Sequence, residues 1–263
     1  MTQTLDHHRL RRAGAPLQLG LLALLVALAW AYVGMGFAAL GAEGGLAARL
    51  AAICGPSAGR AVTAGSLAFS LAMWFAASIA MMLPSAWGLV TTYAEIAETA
   101  AARSVRVVPV GVLVAGYLTV WLGFSAAAAL LQAALAASGL IGDGLLLSDR
   151  VVAGAVLIGA GAFQFSALKE ACLSKCRMPF PTLFANWSVS AARIYRLGLR
   201  EGAYCLGCCW ALMLTMFALG VMNVLWMAAL AAFAIVEKHA EKSFVSRAGG
   251  IFLLLAGVYM VLV

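Results

Sequence analysis

The chain has 263 residues, of which 65% are hydrophobic and 10% charged, with a net charge of +7 and a mean hydropathy of +1.01. A soluble domain is nearer half apolar and a quarter charged, so no soluble fold of this length could hide so much apolar surface. A membrane β-barrel is excluded as well, because the sequence runs in long Ala-, Leu- and Gly-rich blocks rather than short alternating segments.

The fold class is accordingly all-α: a polytopic bundle of transmembrane helices whose surroundings are the lipid bilayer. A basic tail over 1–16, with His7, His8, Arg9, Arg11 and Arg12, precedes a first block at 17–40. That block of about 24 residues is longer than a signal-peptide core and reads as a retained helix. Further blocks follow at 61–92, 107–139 and 151–171, and Pro84 marks a kink near the end of the first of them. From Gly202 to Val236 the sequence is unbroken and apolar. As one helix it would run about 50 Å, against a hydrocarbon core of about 30 Å. It therefore divides at Gly220–Asn223 into spans 202–219 and 221–236. A last block at 249–263 is short for a full crossing. About seven spans result, forming one membrane domain over 17–263.

Charge orients these spans. With seven of them, 14 of the 17 Lys and Arg fall on the side of the N-terminal tail and of segments 93–106, 172–201 and 237–248. Only Arg49, Arg60 and Arg150 fall on the other. The positive-inside rule places the N-terminus in the cytoplasm and the C-terminus outside. The basic balance is thus a topology signal. No nucleic-acid partner is expected, because the interleaved aromatic and basic residues that single strands need are missing.

The cysteines carry the chemistry. Cys54 sits alone in an outside loop and reads as incidental. Cys172 and Cys176 lie one helical turn apart at the end of the fourth span, and Cys205, Cys208 and Cys209 share one face at the start of the fifth. The intervening loop can bring both groups together on the cytoplasmic side, where thiols stay reduced. Converging thiols make a soft-metal site. The start of the fifth helix favours thiolate, and Lys169, Lys175, Arg177 and Arg200 can offset its charge. Copper is preferred and zinc second, because two thiolates on Cu(I) leave less buried charge than four on Zn(II). Met213 and Met216 continue the cysteine face inward and are weaker candidate ligands. Met73, Met81, Met82, Met222 and Met227 read first as packing.

Other signals are bland. No span contains histidine, which argues against a buried haem or a histidine-built copper site. His7 and His8 read as solvated tail, and His239, among Glu237, Lys238, Glu241 and Lys242, as a solvated junction. Glu95 and Glu98 read as a solvated face, as do Asp143 and Asp149. Glu201, beside Arg200, reads as an interfacial ion pair, with a proton carrier for Cys205 as the alternative. Segment 180–196, with Phe184, Trp187, Ile194 and Tyr195, is either an amphipathic helix over the thiols or a connector.

The run Gly202-Ala203-Tyr204-Cys205-Leu206-Gly207-Cys208-Cys209-Trp210 resembles the core motif of a bacterial family of predicted metal-binding integral membrane proteins of unknown function. The resemblance extends to Met81-Met82-Leu83-Pro84, to Gly116, Tyr117 and Trp121, and to Lys169, Cys172, Cys176, Arg177 and Pro179. It continues through Gly220, Met222, Asn223, Trp226, Met227, Glu237 and Lys238, covering the chain from about residue 70 onward. It implies an inner-membrane protein with Cys172, Cys176, Cys205, Cys208 and Cys209 as ligands. Ala167 stands where the family pattern has proline, which leaves the bend before the lysine–cysteine motif open.

Three functions compete. The first is a membrane protein that moves, stores or hands over copper through the cysteine cluster, to a protein partner or within a homo-oligomer. The second is a subunit of a metal- or thiol-dependent membrane oxidoreductase. The third is an assembly subunit with incidental thiols, for which the Gly198/Gly202 pair offers a helix-pairing face. No catalytic motif of a known hydrolase or nucleotide-binding type is present.

Overall fold

The computed structural model describes residues 2–41, 63–141, 147, 149–220, 223–240 and 243–263, with the side chains of the first helix described over 16–35. The expected roles of Cys54, Asp143, Met222, Glu241 and Lys242, and of the His7 and His8 side chains, lie outside the described residues. The chain is helical: α1 (Thr2–Gly41), α2 (Ala64–Ser85), α3 (Trp87–Ala102), α4 (Val110–Ala137), α5 (Arg150–Phe163), α6 (Ala167–Arg177), α7 (Pro179–Ala185), α8 (Ala191–Leu214), α9 (Met216–Leu219), α10 (Val224–His239) and α11 (Phe244–Leu262). The one strand-like pairing among the described residues is an isolated bridge between Ile141 and Leu147.

Five segments are long and apolar enough to cross a bilayer: Pro16–Met35, α2, α4, Ala191–Leu219 and α11. The bent pair α5–α6 makes a sixth. The remaining helix of the seven expected, α10, has 16 residues and so spans only about 24 Å. The last span is longer than its apolar block, because α11 starts at Phe244 and runs 19 residues.

The breaks have local causes. Pro84 has no N–H, so the Ala80 carbonyl lacks its helical donor. The Trp30 indole of α1 supplies one at 3.0 Å. Helix α2 ends one residue later, at Ser85. The expected single span 61–92 is therefore two helices, and Pro84 ends the first rather than kinking a continuous one. The expected break after 219 is present: Gly220 adopts φ 96°, and the Asn223 side chain caps α10 by accepting from Leu225 N and Trp226 N. The α5–α6 bend of 63° forms without proline. There Ser166 caps α6, accepting from Lys169 N at 3.2 Å. Segment 180–196 resolves into the short α7, a connector, and the first turn of α8, which starts eleven residues before the expected 202.

Glycine sets the two closest helix pairings. A Cβ at Gly198 would strike the Leu113 carbonyl, one at Gly116 the Tyr195 carbonyl, and one at Gly202 would fall 2.9 Å from the Tyr117 carbonyl. The Gly198/Gly202 pair thus packs α8 onto α4 within the chain. Helices α5 and α11 meet likewise, a Cβ at Gly154 or at Gly257 falling 2.7 Å from the other's carbonyl. Polar side chains between α2 and α4 pair with each other, as burial requires. Trp74 Nε1 donates to Gln132 Oε1 at 2.7 Å, and Ser78 meets Ser125 at 3.3 Å.

Helices α4 and α8 begin, and α2 and α10 end, at one end of this bundle. Four contacts tie that end together: Val110 N to Gln18 Oε1 of α1 at 3.1 Å, Tyr117 Oη to the Met82 carbonyl at 3.0 Å, Lys238 Nζ to Ser85 Oγ at 2.7 Å, and Lys238 Nζ to Cys205 Sγ at 3.1 Å.

Candidate metal centre

Helix α6, turned by the Gln164–Ser166 bend, lies against α8. Lys169 Nζ donates to the Cys208 carbonyl at 3.0 Å, and a Cβ at Gly207 would fall 2.6 Å from Cys172 Sγ. The two cysteine groups therefore meet, but not all five thiols do. Cys205, Cys208 and Cys209 are buried, while Cys172 and Cys176 are half-buried, and all five are free thiols. Cys208 Sγ lies 3.3 Å from Cys209 Sγ and 3.2 Å from the Cys205 carbonyl. The Cys208 thiol also interacts with those of Cys176 and Cys205. Cys172 Sγ packs against Gly207. Among the described residues, however, no group of three or more His, Cys, Asp or Glu is arranged to hold one metal ion.

The surroundings of Cys205 are polar and specific. Its sulfur has Lys238 Nζ at 3.1 Å and Tyr117 Oη at 3.0 Å. Ser85 Oγ accepts from Lys238 at 2.7 Å and donates to the Met82 carbonyl at 2.8 Å. That carbonyl also accepts from Ala86 N at 3.1 Å. The Tyr117 hydroxyl lies 3.0 Å from both the Met82 carbonyl and the Cys205 sulfur, and its single proton can serve either. An ammonium and a phenol are thus placed to offset negative charge on Cys205.

A buried ion pair fixes the helices behind it. Lys169 Nζ lies 2.8 Å from Glu237 Oε2, the two side chains 1% and 0% exposed. Arg177 Nε and Nη2 donate to the Glu237 carbonyl at 3.2 and 3.1 Å. The pair joins α6 to α10 directly, and the second Lys169 bond to Cys208 joins both to α8.

A cavity of about 740 Å³ opens beside Cys205. Its wall includes Cys176, Cys205, Tyr117, Lys238, Glu201 and Arg177. The two cysteines come from different helices, Cys176 from α6 and Cys205 from α8.

Two expectations are corrected by this geometry. Glu237 and Lys238 are not part of a solvated junction. Helix α10 continues to His239, and the stripe Met227, Leu230, Ala231, Ala234, Glu237, Lys238 faces the bundle. Of the described junction residues only His239 is exposed, at the cavity rim. Glu201 forms no ion pair with Arg200: it is buried, its Oε1 has no partner, and it lines the cavity one turn before Cys205. Met213 and Met216 are buried, at 0% and 1% exposure, but line no part of the cavity.

The other readings fall as follows. Glu95 and Glu98 are exposed, and Asp149 caps α5. In the 180–196 segment, Trp187 packs on Tyr93 of α3, ring centroids 5.3 Å apart, and Ile194 is buried. Residue spacing alone does not reveal Lys238, Tyr117 and Ser85 as partners of Cys205. The signal for Lys238 is the continuation of the α10 stripe by three- and four-residue steps past the last apolar residue.

A family model described as PpoB2, copper chaperone, matches residues 71–260. No curated protein and no solved structure matches.

Proposed function

Because the chain belongs to the PpoB2 copper-chaperone family, whose match covers 71–260, we propose that it receives Cu(I) in the membrane through its thiols and hands it to a protein partner. The chain is a multi-pass protein of the bacterial inner membrane on this reading, and the family is the metal-binding membrane family that its C-x-x-C-C run resembles. The observation that carries the reading is the placement of Cys205 and Cys176, from two helices, on the wall of one cavity with Lys238 at 3.1 Å from the Cys205 sulfur.

The chemistry is ligand exchange. Cu(I) is soft and is held by as few as two thiolates, whereas zinc takes four ligands. A site with fewer than three ligands arranged for one ion among the described residues therefore suits Cu(I) better than zinc. An ion reaching the cavity is taken by Cys205 and Cys176, then shared with Cys208 and Cys209 behind them. Each new sulfur bonds before the last one leaves, so the ion is never free. Thiols lose their protons on binding, so loading releases protons. Cys172, Met213 and Met216 stand outside this relay.

The test is Cu(I) titration against a chromophoric chelator, with protein purified in detergent under reducing conditions. Wild type is expected to take about one Cu(I) per chain, and the Cys205/Cys208/Cys209→Ser variant to lose at least about 100-fold in affinity, each tenfold being about 1.4 kcal/mol. Equal binding by both proteins sinks the reading. Metal-independent oxidation of two thiols to a disulfide by a quinone, which is reduced to the quinol, would move the assignment to an oxidoreductase.

A further inference from the structure

The geometry points to Lys238 as the residue that selects a singly charged metal ion over a doubly charged one at the thiol site. The inference rests on the thiol site proposed above and adds a basis for its selectivity.

The argument is a balance of buried charge. An unpaired charge is costly in the interior of a membrane bundle. Around the cavity the charged groups have neighbours of opposite sign. Lys169 pairs with Glu237 at 2.8 Å, and Arg177 with Glu170 at 3.6 Å. Glu201 lies in the field of Arg200 and Lys175. Lys238 differs: its side chain is buried, and its contacts are the Ser85 hydroxyl at 2.7 Å and the Cys205 sulfur at 3.1 Å. No carboxylate lies within ion-pair distance of it among the described residues. The charge that completes this site must come from the sulfur side.

A monovalent ion on two thiolates carries one net negative charge, which the Lys238 ammonium cancels. A divalent ion on the same two thiolates is neutral, and the buried ammonium is left uncompensated. Raising the thiolate number to three would restore the balance for a divalent ion, but among the described residues no three such ligands are arranged to hold one ion. Selectivity thus follows from one fixed charge, held by Ser85 on the cavity wall, and the two-sulfur geometry. Softness alone does not give it, since thiolates also bind zinc.

The test measures the dissociation constants of Cu(I) and Zn(II) separately, each against its own chelator, for wild type, Lys238→Gln, Lys238→Arg and Ser85→Ala. Glutamine keeps a hydrogen-bonding side chain and removes the charge. Lys238→Gln is expected to weaken Cu(I) by about tenfold or more and to leave Zn(II) unchanged or tighter. Lys238→Arg should keep the Cu(I)/Zn(II) ratio within about threefold of wild type. Ser85→Ala leaves the lysine in place and only loosens its aim. It provides the reading if Lys238→Gln does not fold, with Cu(I) weakened by about threefold and Zn(II) unmoved. Unchanged Cu(I) affinity in the variants, or proportional loss of both metals, overturns the inference while the thiol site stands. Failure of wild type to bind Cu(I) overturns the site itself, and this inference with it.

Discussion

Cys172 and Cys176 are one turn apart on α6, yet the structure gives them different neighbours. The Cys176 thiol interacts with Cys208 and lines the cavity, whereas Cys172 packs on Gly207. Cys176→Ser is therefore expected to weaken Cu(I) binding about tenfold or more, and Cys172→Ser to change it less than about twofold. Competition titration of the two variants side by side checks this, and equal losses would contradict it. The thiols themselves were legible in the sequence, since an i, i+3, i+4 spacing puts them on one face whatever the fold does. Which of them converge was not legible, because that depends on the rotation of α6 about its axis after the bend. Lys238 was hidden for another reason. A lysine just past an apolar run is ordinarily an interfacial residue, and only the extension of α10 to His239 turns it inward. Glu237 was hidden in the same way, its partner Lys169 being 68 residues away in the sequence.

At the level of helices, most spans were legible because twenty apolar residues in a row have few alternatives in lipid. The boundaries were less so. Helix α8 starts well before its apolar block because Ile194, Leu197, Gly198 and Glu201 already face α4 and the site, and packing rather than hydropathy sets its beginning. The break at Ala86 was hidden because a proline in a membrane helix is often tolerated as a kink. That break matters for the site: Ser85, Ala86, Gly88 and Leu89 around it form part of the cavity wall. The α4–α8 contact is what holds Tyr117 against Cys205, and glycine makes it close. A methyl group at Gly198 would meet the Leu113 carbonyl, which is backbone and cannot rotate aside. Gly198→Ala is expected to cost about 1–3 kcal/mol through overpacking, and to weaken Cu(I) binding by displacing Tyr117. Gly159→Ala, at a position with nothing within 4 Å, is the matched control and should leave both properties unchanged. Thermal unfolding in detergent, followed with and without Cu(I), compares the two. Equal behaviour would mean the glycines do not set this contact.

For the molecule as a whole, charge and site agree on which end is which. The segments holding 14 of the 17 Lys and Arg are those that bound the cavity end: the start of α1, the α3–α4 connection, α6 to the start of α8, and the end of α10 with the start of α11. Helix packing and charge asymmetry are separate properties of the chain, so their agreement carries weight. The positive-inside rule is the basis on which we propose that this end faces the cytoplasm, the compartment that would keep neighbouring thiols reduced. Single cysteines introduced into a background without the native ones distinguish the two orientations. Glu98→Cys, on the exposed face of α3, should react with a membrane-impermeant maleimide only after the membrane is opened. Ser138→Cys, exposed at the far end of α4, should react in intact cells. The reverse pattern would place the thiols on the oxidising side. Cys208 and its neighbours would then be candidates for disulfide exchange rather than metal capture, and the copper would have to arrive from outside. The labelling pattern therefore decides both the topology and the direction from which the cavity is loaded.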